Sequence, residues 1–148
     1  MPLLDPPVNL RLEAEDYWLF LHLIVERMAE YRFLFQDMSN LVGRLPRLAR
    51  GMRRLIHALK HTLAALLASL KDQGLVESDT QALGQLVEQI SLALLFSLDY
   101  QRVLGREGDV GVVVYQVMLL VAPHLQPAAR AAAEQLAQGY LRGYRCPP

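Results

Sequence analysis

Apolar residues recur at helical spacing along most of the chain, and the clearest run lies between Pro46 and Gly74. Leu48, Met52, Leu55, Leu59, Leu63, Leu66 and Leu70 follow one another at steps of four, three, four, four, three and four. Such steps keep a single stripe on one helix face. Arg50, Arg53, His57, Lys60, His61 and Lys71 fall on the other side. Pro46 suits a first helical turn, where its missing N–H is no loss. Gly74 followed by Leu75 suits a glycine just past a C-terminus with an apolar residue beyond it. At 1.5 Å per residue the run is about 40 Å long, the height of a small domain.

The flanking segments are read in the same way. Residues 1–12 carry Pro2, Pro6 and Pro7 and no period, which predicts an extended segment. Glu13, Glu15 and Asp16 place negative charge in a first turn, where the helix dipole favours it. Tyr17, Leu21, Ile24, Met28, Tyr31, Phe35 and Met38 then continue a helix to about Val42, bent near Glu30 and closed by Gly43 and Pro46. Ser78 with Gln81 forms a capping-box pattern, with Asp79 as the alternative cap, for a helix from Asp79 to about Leu104. Its first half has one apolar face, Leu83, Leu86, Val87 and Ile90. Its second half, with Leu92, Leu94, Leu95, Phe96, Leu98 and Val103, is apolar almost all round and must be covered on every side.

Residues 105–108 read as a turn and Asp109 as the next cap. The segment from Val110 to Ala122 is valine-rich enough for a strand, but no second strand candidate exists to pair with it, so a buried helix is expected. Pro123 ends that helix, and Pro127 opens an alanine-rich one reaching about Tyr144. The prediction is an all-α antiparallel bundle of five to six helices. Its domain covers residues 13–144, followed by a tail over 145–148.

Composition narrows the function. With 148 residues the chain can build one domain with a real core. Lys plus Arg is 15 and Asp plus Glu is 15, whereas a chain that grips DNA phosphates carries surplus positive charge. One cysteine, Cys146, excludes an internal disulfide framework and fits a reducing compartment as a free tail thiol. Residues 1–5 lack the basic-then-apolar design of a signal peptide. Hydrophobic residues make up 53 %, high for a small helical domain, and the excess points to a membrane or a subunit interface. The longest apolar run, Val110 to Ala122, is broken by Gly111 and Gln116. It falls short of the ~20 residues that span a bilayer core, so an interface is expected and no membrane.

Two stretches, residues 29–38 (AEYRFLFQDM) and residues 114–125 (VYQVMLLVAPHL), together with the helix lengths and order, resemble the C-terminal regulatory domain of TetR-type bacterial transcription repressors. The resemblance covers roughly residues 13–144. It implies a cytoplasmic homodimer that holds a small apolar or amphipathic effector among its helices and dimerises through two late helices, here residues 79–104 and 109–122. The interface candidates on those helices are Leu92, Leu95, Leu98, Val110, Val113, Val114, Val117, Leu120 and Val121. In that family an N-terminal helix-turn-helix domain binds the operator. No basic cap-turn-helix segment precedes Glu13, so DNA binding is expected only through a domain that this chain lacks. A stand-alone helical dimer, acting as an interaction module or lipophilic carrier, is the alternative.

The aromatic set supplies the effector candidates, because ligand pockets are largely apolar with a few polar handles. Tyr17, Trp18, His22, Tyr31, Phe35, Phe96 and Tyr100 are the expected lining, beside Phe20 and Phe33, although aromatics at helical spacing also serve as plain core. His57 and His61 lie one turn apart and could chelate a metal. Arg50, Arg53 and Lys60 repel a cation there, and no Cys, Asp or Glu completes a set, so no metal and no cofactor are expected. Arg44, Arg47, Arg50, Arg53 and Arg54 could form an anion site or a docking face for a DNA-binding domain. The favoured reading is a solvated face paired with acids such as Glu30 and Asp37. No nucleophile elbow, phosphate loop or paired carboxylates appear, which argues against an enzyme.

Overall fold

The computed structural model describes residues 14–30 and 38–145, and every regular element among them is a helix. In chain order these are α1 (Ala14–Glu30), α2 (Met38–Arg44), α3 (Pro46–Asp72), α4 (Thr80–Val103), α5 (Val110–Val121), a 3-10 turn (Ala122–His124) and α6 (Pro127–Arg145). Of the helix expected from Glu13 to Val42, the described residues show α1 and α2, and the stretch between them, with Tyr31 and Phe35, lies outside the described residues. So do the N-terminal extended segment and Cys146.

One residue separates α2 from α3. Leu45 is extended (φ −124°, ψ 95°), the conformation a residue before proline prefers, and Pro46 stands in the first turn as expected. The stripe of α3 faces inward: Met52, Leu59, Leu63 and Leu70 are buried, with Leu48, Leu55 and Leu66 half-buried. Ala49, Thr62 and Leu67 join the buried row. At the far end Gly74 takes φ +75°, its amide donates to the Lys71 carbonyl at 2.9 Å, and the Leu75 amide donates to the Leu70 carbonyl at 3.0 Å. A side chain with a Cβ is strained at that φ, which is why glycine sits there. Helix α4 ends identically, with Gly105 at φ +75° and the Arg106 amide donating to the Gln101 carbonyl at 3.0 Å.

The caps correct one expectation. Asp79, not Ser78, caps α4: its side chain accepts from the Ala82 amide at 2.8 Å. Ser78 is used elsewhere, sharing a 2.6 Å hydrogen bond with His124 Nδ1. That contact belongs to a stitch between two loops at one end of the bundle. Val76 and Leu125 form an isolated antiparallel bridge, the Glu77 amide donates to the His124 carbonyl at 3.0 Å, and the Gln126 amide donates to the Leu75 carbonyl at 2.9 Å.

The valine-rich segment is helical, as α5, and it is the centre of the core. Val113, Val114, Val117, Met118 and Val121 are buried among α1, α4 and α6. Ile24 and Val25 of α1, Leu86, Ile90 and Leu94 of α4, and Ala133 and Ala137 of α6 complete the cluster. Each such aliphatic side chain withdrawn from water contributes roughly 1.5–3 kcal/mol. By length and composition alone, the described helix that could cross a membrane is α4, not residues 110–122, and 39 % of its most apolar window is buried inside the bundle.

Candidate functional site

Helix α4 carries two apolar faces. The inner one, Leu83, Leu86, Val87, Ile90, Leu94 and Leu95, is buried against α3 and α5. The outer one stays in solvent: Leu92 is 59 % exposed, Phe96 39 %, Tyr100 61 % and Val103 76 %. These four follow steps of four, four and three, so they form one row along about 16 Å of helix. On α5, Leu119 is exposed and Val112, Tyr115 and Leu120 are half-buried. Ser97 Oγ donates to Gln116 Oε1 at 3.2 Å, joining the two helices.

This placement redistributes the residues that the sequence marked. Of the nine interface candidates, Leu95, Val113, Val114, Val117 and Val121 are buried within the chain. Leu98, Val110 and Leu120 are half-buried, and Leu92 stands free. Most of the greasiness of α5 is therefore satisfied by α1, α4 and α6. Phe96 and Tyr100, read as pocket lining, instead point outward beside Leu92 and Val103. Of the other pocket candidates, His22 is half-buried on α1 with Nε2 2.8 Å from Glu26 Oε1. Tyr17 and Trp18 belong to α1, their side chains outside the described residues, as are Tyr31 and Phe35 altogether.

Sequence reasoning passed over Gln101, the residue that shapes the turn below this face. It is 3 % exposed, its Oε1 accepts from the Asp109 amide at 2.9 Å, and its Nε2 donates to the Asp109 carbonyl at 3.4 Å. Asp109 in turn caps α5, accepting from the Gly111 and Val112 amides at 2.9 and 3.3 Å. The signal was present: Gln101 continues the inner-face spacing from Leu94 and Leu98, so a polar residue falls where the pattern requires burial.

The arginines lie on α3, away from this face in the chain. Arg47, Arg50, Arg53 and Arg54 are exposed and line an open cleft of about 540 Å3. The expected pairing with Glu30 is not made, since Glu30 Oε2 accepts from Arg27 at 2.9 Å, and Asp37 is outside the described residues. His57 and His61 are both exposed, and among the described residues no three His, Cys, Asp or Glu side chains gather as a metal set.

The described residues form a helical bundle with a packed centre and one outward apolar row, an architecture that many functions share, and comparison specifies its kind. A family model described as TetR, a bacterial transcriptional repressor, matches residues 1–133, and the chain belongs to that family. Its fold is that of a TetR-family transcriptional regulator from Marinobacter aquaeolei VT8, solved by crystallography at 2.49 Å. The two superpose with a TM-score of 0.81 at 21 % identity, over 94 % of this chain and 68 % of the other. No curated protein sequence matches significantly. The family is one of transcriptional regulators, which are in general not enzymes.

Proposed function

We propose that residues 13–144 are the dimerising, effector-sensing domain of a TetR-type regulator, working in the bacterial cytoplasm and governing a helix-turn-helix segment outside these residues. The observation that supports it best is the exposed outer row of α4, Leu92, Phe96, Tyr100 and Val103, and the exposed Leu119 of α5. Large apolar side chains clustered on one exposed face are costly in water and mark an association surface. A second copy placing the same rows against these would form an antiparallel or crossed four-helix contact about a two-fold axis. The effector in this reading is apolar or amphipathic and is held by the aromatic residues of α1 and the segment after it, Tyr17, Trp18, His22, Tyr31 and Phe35. By favouring one helix arrangement over another, it shifts the population of DNA-competent dimers.

Sedimentation velocity across a hundredfold range of concentration tests the dimer. The wild-type chain is expected to sediment as a dimer, and Phe96→Lys combined with Leu92→Lys as a monomer of unchanged helicity. A wild-type chain that stays monomeric at every concentration, or a double variant that still dimerises, would remove the basis of the proposal.

A further inference from the structure

Between Asp37 and Asp72 the chain contains no acidic residue, yet it carries Arg44, Arg47, Arg50, Arg53, Arg54, Lys60 and Lys71. In a chain whose charges balance overall, this is a strongly one-sided segment. Lys60 is paired with Glu88 of α4. The arginines are not: among the described residues no ion pair or side-chain hydrogen bond reaches the guanidinium groups of Arg47, Arg50, Arg53 or Arg54. Several acids elsewhere are occupied: Glu26 by His22, Glu30 by Arg27, Asp99 by Arg102, and Asp79 and Asp109 as helix caps.

The four guanidinium groups leave α3 within two turns and project over about 120° of its surface, so they converge on one strip. Like charges so placed repel, and the first turns of a helix already carry a positive dipole end. Among the described residues no acidic side chain pairs with these four to relieve it. Gly51 stands among these arginines, and a Cβ there would meet nothing within 4 Å, so no packing contact requires glycine although glycine weakens a helix interior.

We infer that Arg47, Arg50, Arg53 and Arg54 bind a small anion bearing two or three linked phosphates. One carboxylate offers two oxygens and is satisfied by a single guanidinium fork, whereas linked phosphates present enough acceptor oxygens for several forks at once. The four arginines span two helical turns, the scale of a small anion rather than a long track for a nucleic acid. The absence of net positive charge also disfavours DNA as the occupant. Such a ligand could be free in solution or the headgroup of a phosphorylated lipid. This inference does not depend on the proposed dimer.

Isothermal titration of the whole chain with inorganic tripolyphosphate, in magnesium-free buffer at physiological salt, tests the inference. One saturable site per chain is expected, with orthophosphate at least tenfold weaker. Arg50→Gln with Arg54→Gln is expected to weaken binding at least tenfold, and the same pair changed to Lys to lose part of the affinity because charge remains but the fork is gone. Arg106→Gln, which removes an exposed arginine elsewhere, is expected to stay within twofold of wild type. Circular dichroism of each variant checks that helicity is retained. A flotation arm with vesicles containing a phosphoinositide bisphosphate assigns the source: retention that depends on Arg50 and Arg54 points to a lipid headgroup, and no retention to a free ligand. The inference is overturned if no saturable binding occurs, if Arg106→Gln weakens it equally, or if duplex DNA binds with the same arginine dependence while tripolyphosphate does not. Failure here with a dimer still seen by sedimentation would leave the proposed function standing.

Discussion

Replacing Gln101 by leucine keeps the volume of the side chain and removes its two hydrogen bonds to the backbone of Asp109. The shorter of these, 2.9 Å from the Asp109 amide, is the one that matters; the 3.4 Å contact is near the limit of a hydrogen bond. Leaving a buried amide without a partner costs about 1–3 kcal/mol. Asp109 is half-buried, so water recovers part of this, while the leucine gains some apolar burial at a position 3 % exposed. The net loss expected is about 1.5 kcal/mol. At about 3 °C per kcal/mol for a chain of this size, Tm should fall by roughly 5 °C. Thermal unfolding followed by circular dichroism measures it, at one fixed chain concentration because self-association would add to apparent stability. Asp109→Ala, which removes the cap of α5, should couple to it by more than about 0.5 kcal/mol because both changes act on one turn. A leucine variant as stable as wild type, or one whose effect simply adds to that of Asp109→Ala, would refute the claim that Gln101 organises the α4–α5 turn.

Two further substitutions test other joints. Arg130 Nε donates to the Ala122 carbonyl at 3.0 Å and one of its terminal nitrogens to the Pro123 carbonyl at 2.8 Å, closing the end of α5 with a cation. Arg130→Met should cost about 2 kcal/mol, discounted for its exposure, and Arg130→Lys about half of that, read by urea unfolding; equal stability of all three would show the clamp to be idle. Asp79→Ala should lower stability by about 1 kcal/mol through loss of the α4 cap, whereas Ser78→Ala should leave helix α4 intact and loosen the loop at His124. A larger loss of helicity in the serine variant than in the aspartate variant would reverse that assignment.

How far the chain could be read from its residues depended on what each local signal had to compete with. The stripe from Leu48 to Leu70 and the glycine at 74 were legible because spacing and φ preference act within a few residues of themselves. Helix α5 was legible by elimination, since a lone valine-rich strand would have had no ladder partner. Burial in α4 and α5 was not, because an apolar side chain says that it must be covered without saying by what. Val113, Val114 and Val117 proved to be covered by the same chain. Phe96 and Tyr100 could have been placed outward had Gln101 been accepted as an inner residue, but a polar side chain is ordinarily read as exposed. Ser78 and Asp79 are both good caps, and only the contact to His124, forty-six positions away, decides between them.

The stitch at Val76 and Leu125 should hold its end of the bundle closed longest. Loop amides normally exchange with deuterium almost as fast as free peptides, yet those of Glu77 and Gln126 are donors across the stitch. They should be retained about as long as the helices they join, and slow exchange should grade away from them along α3 toward Pro46. The opening of the bundle would then begin at the arginine-bearing end of α3, where a bound anion could alter its rate without touching the rest of the core.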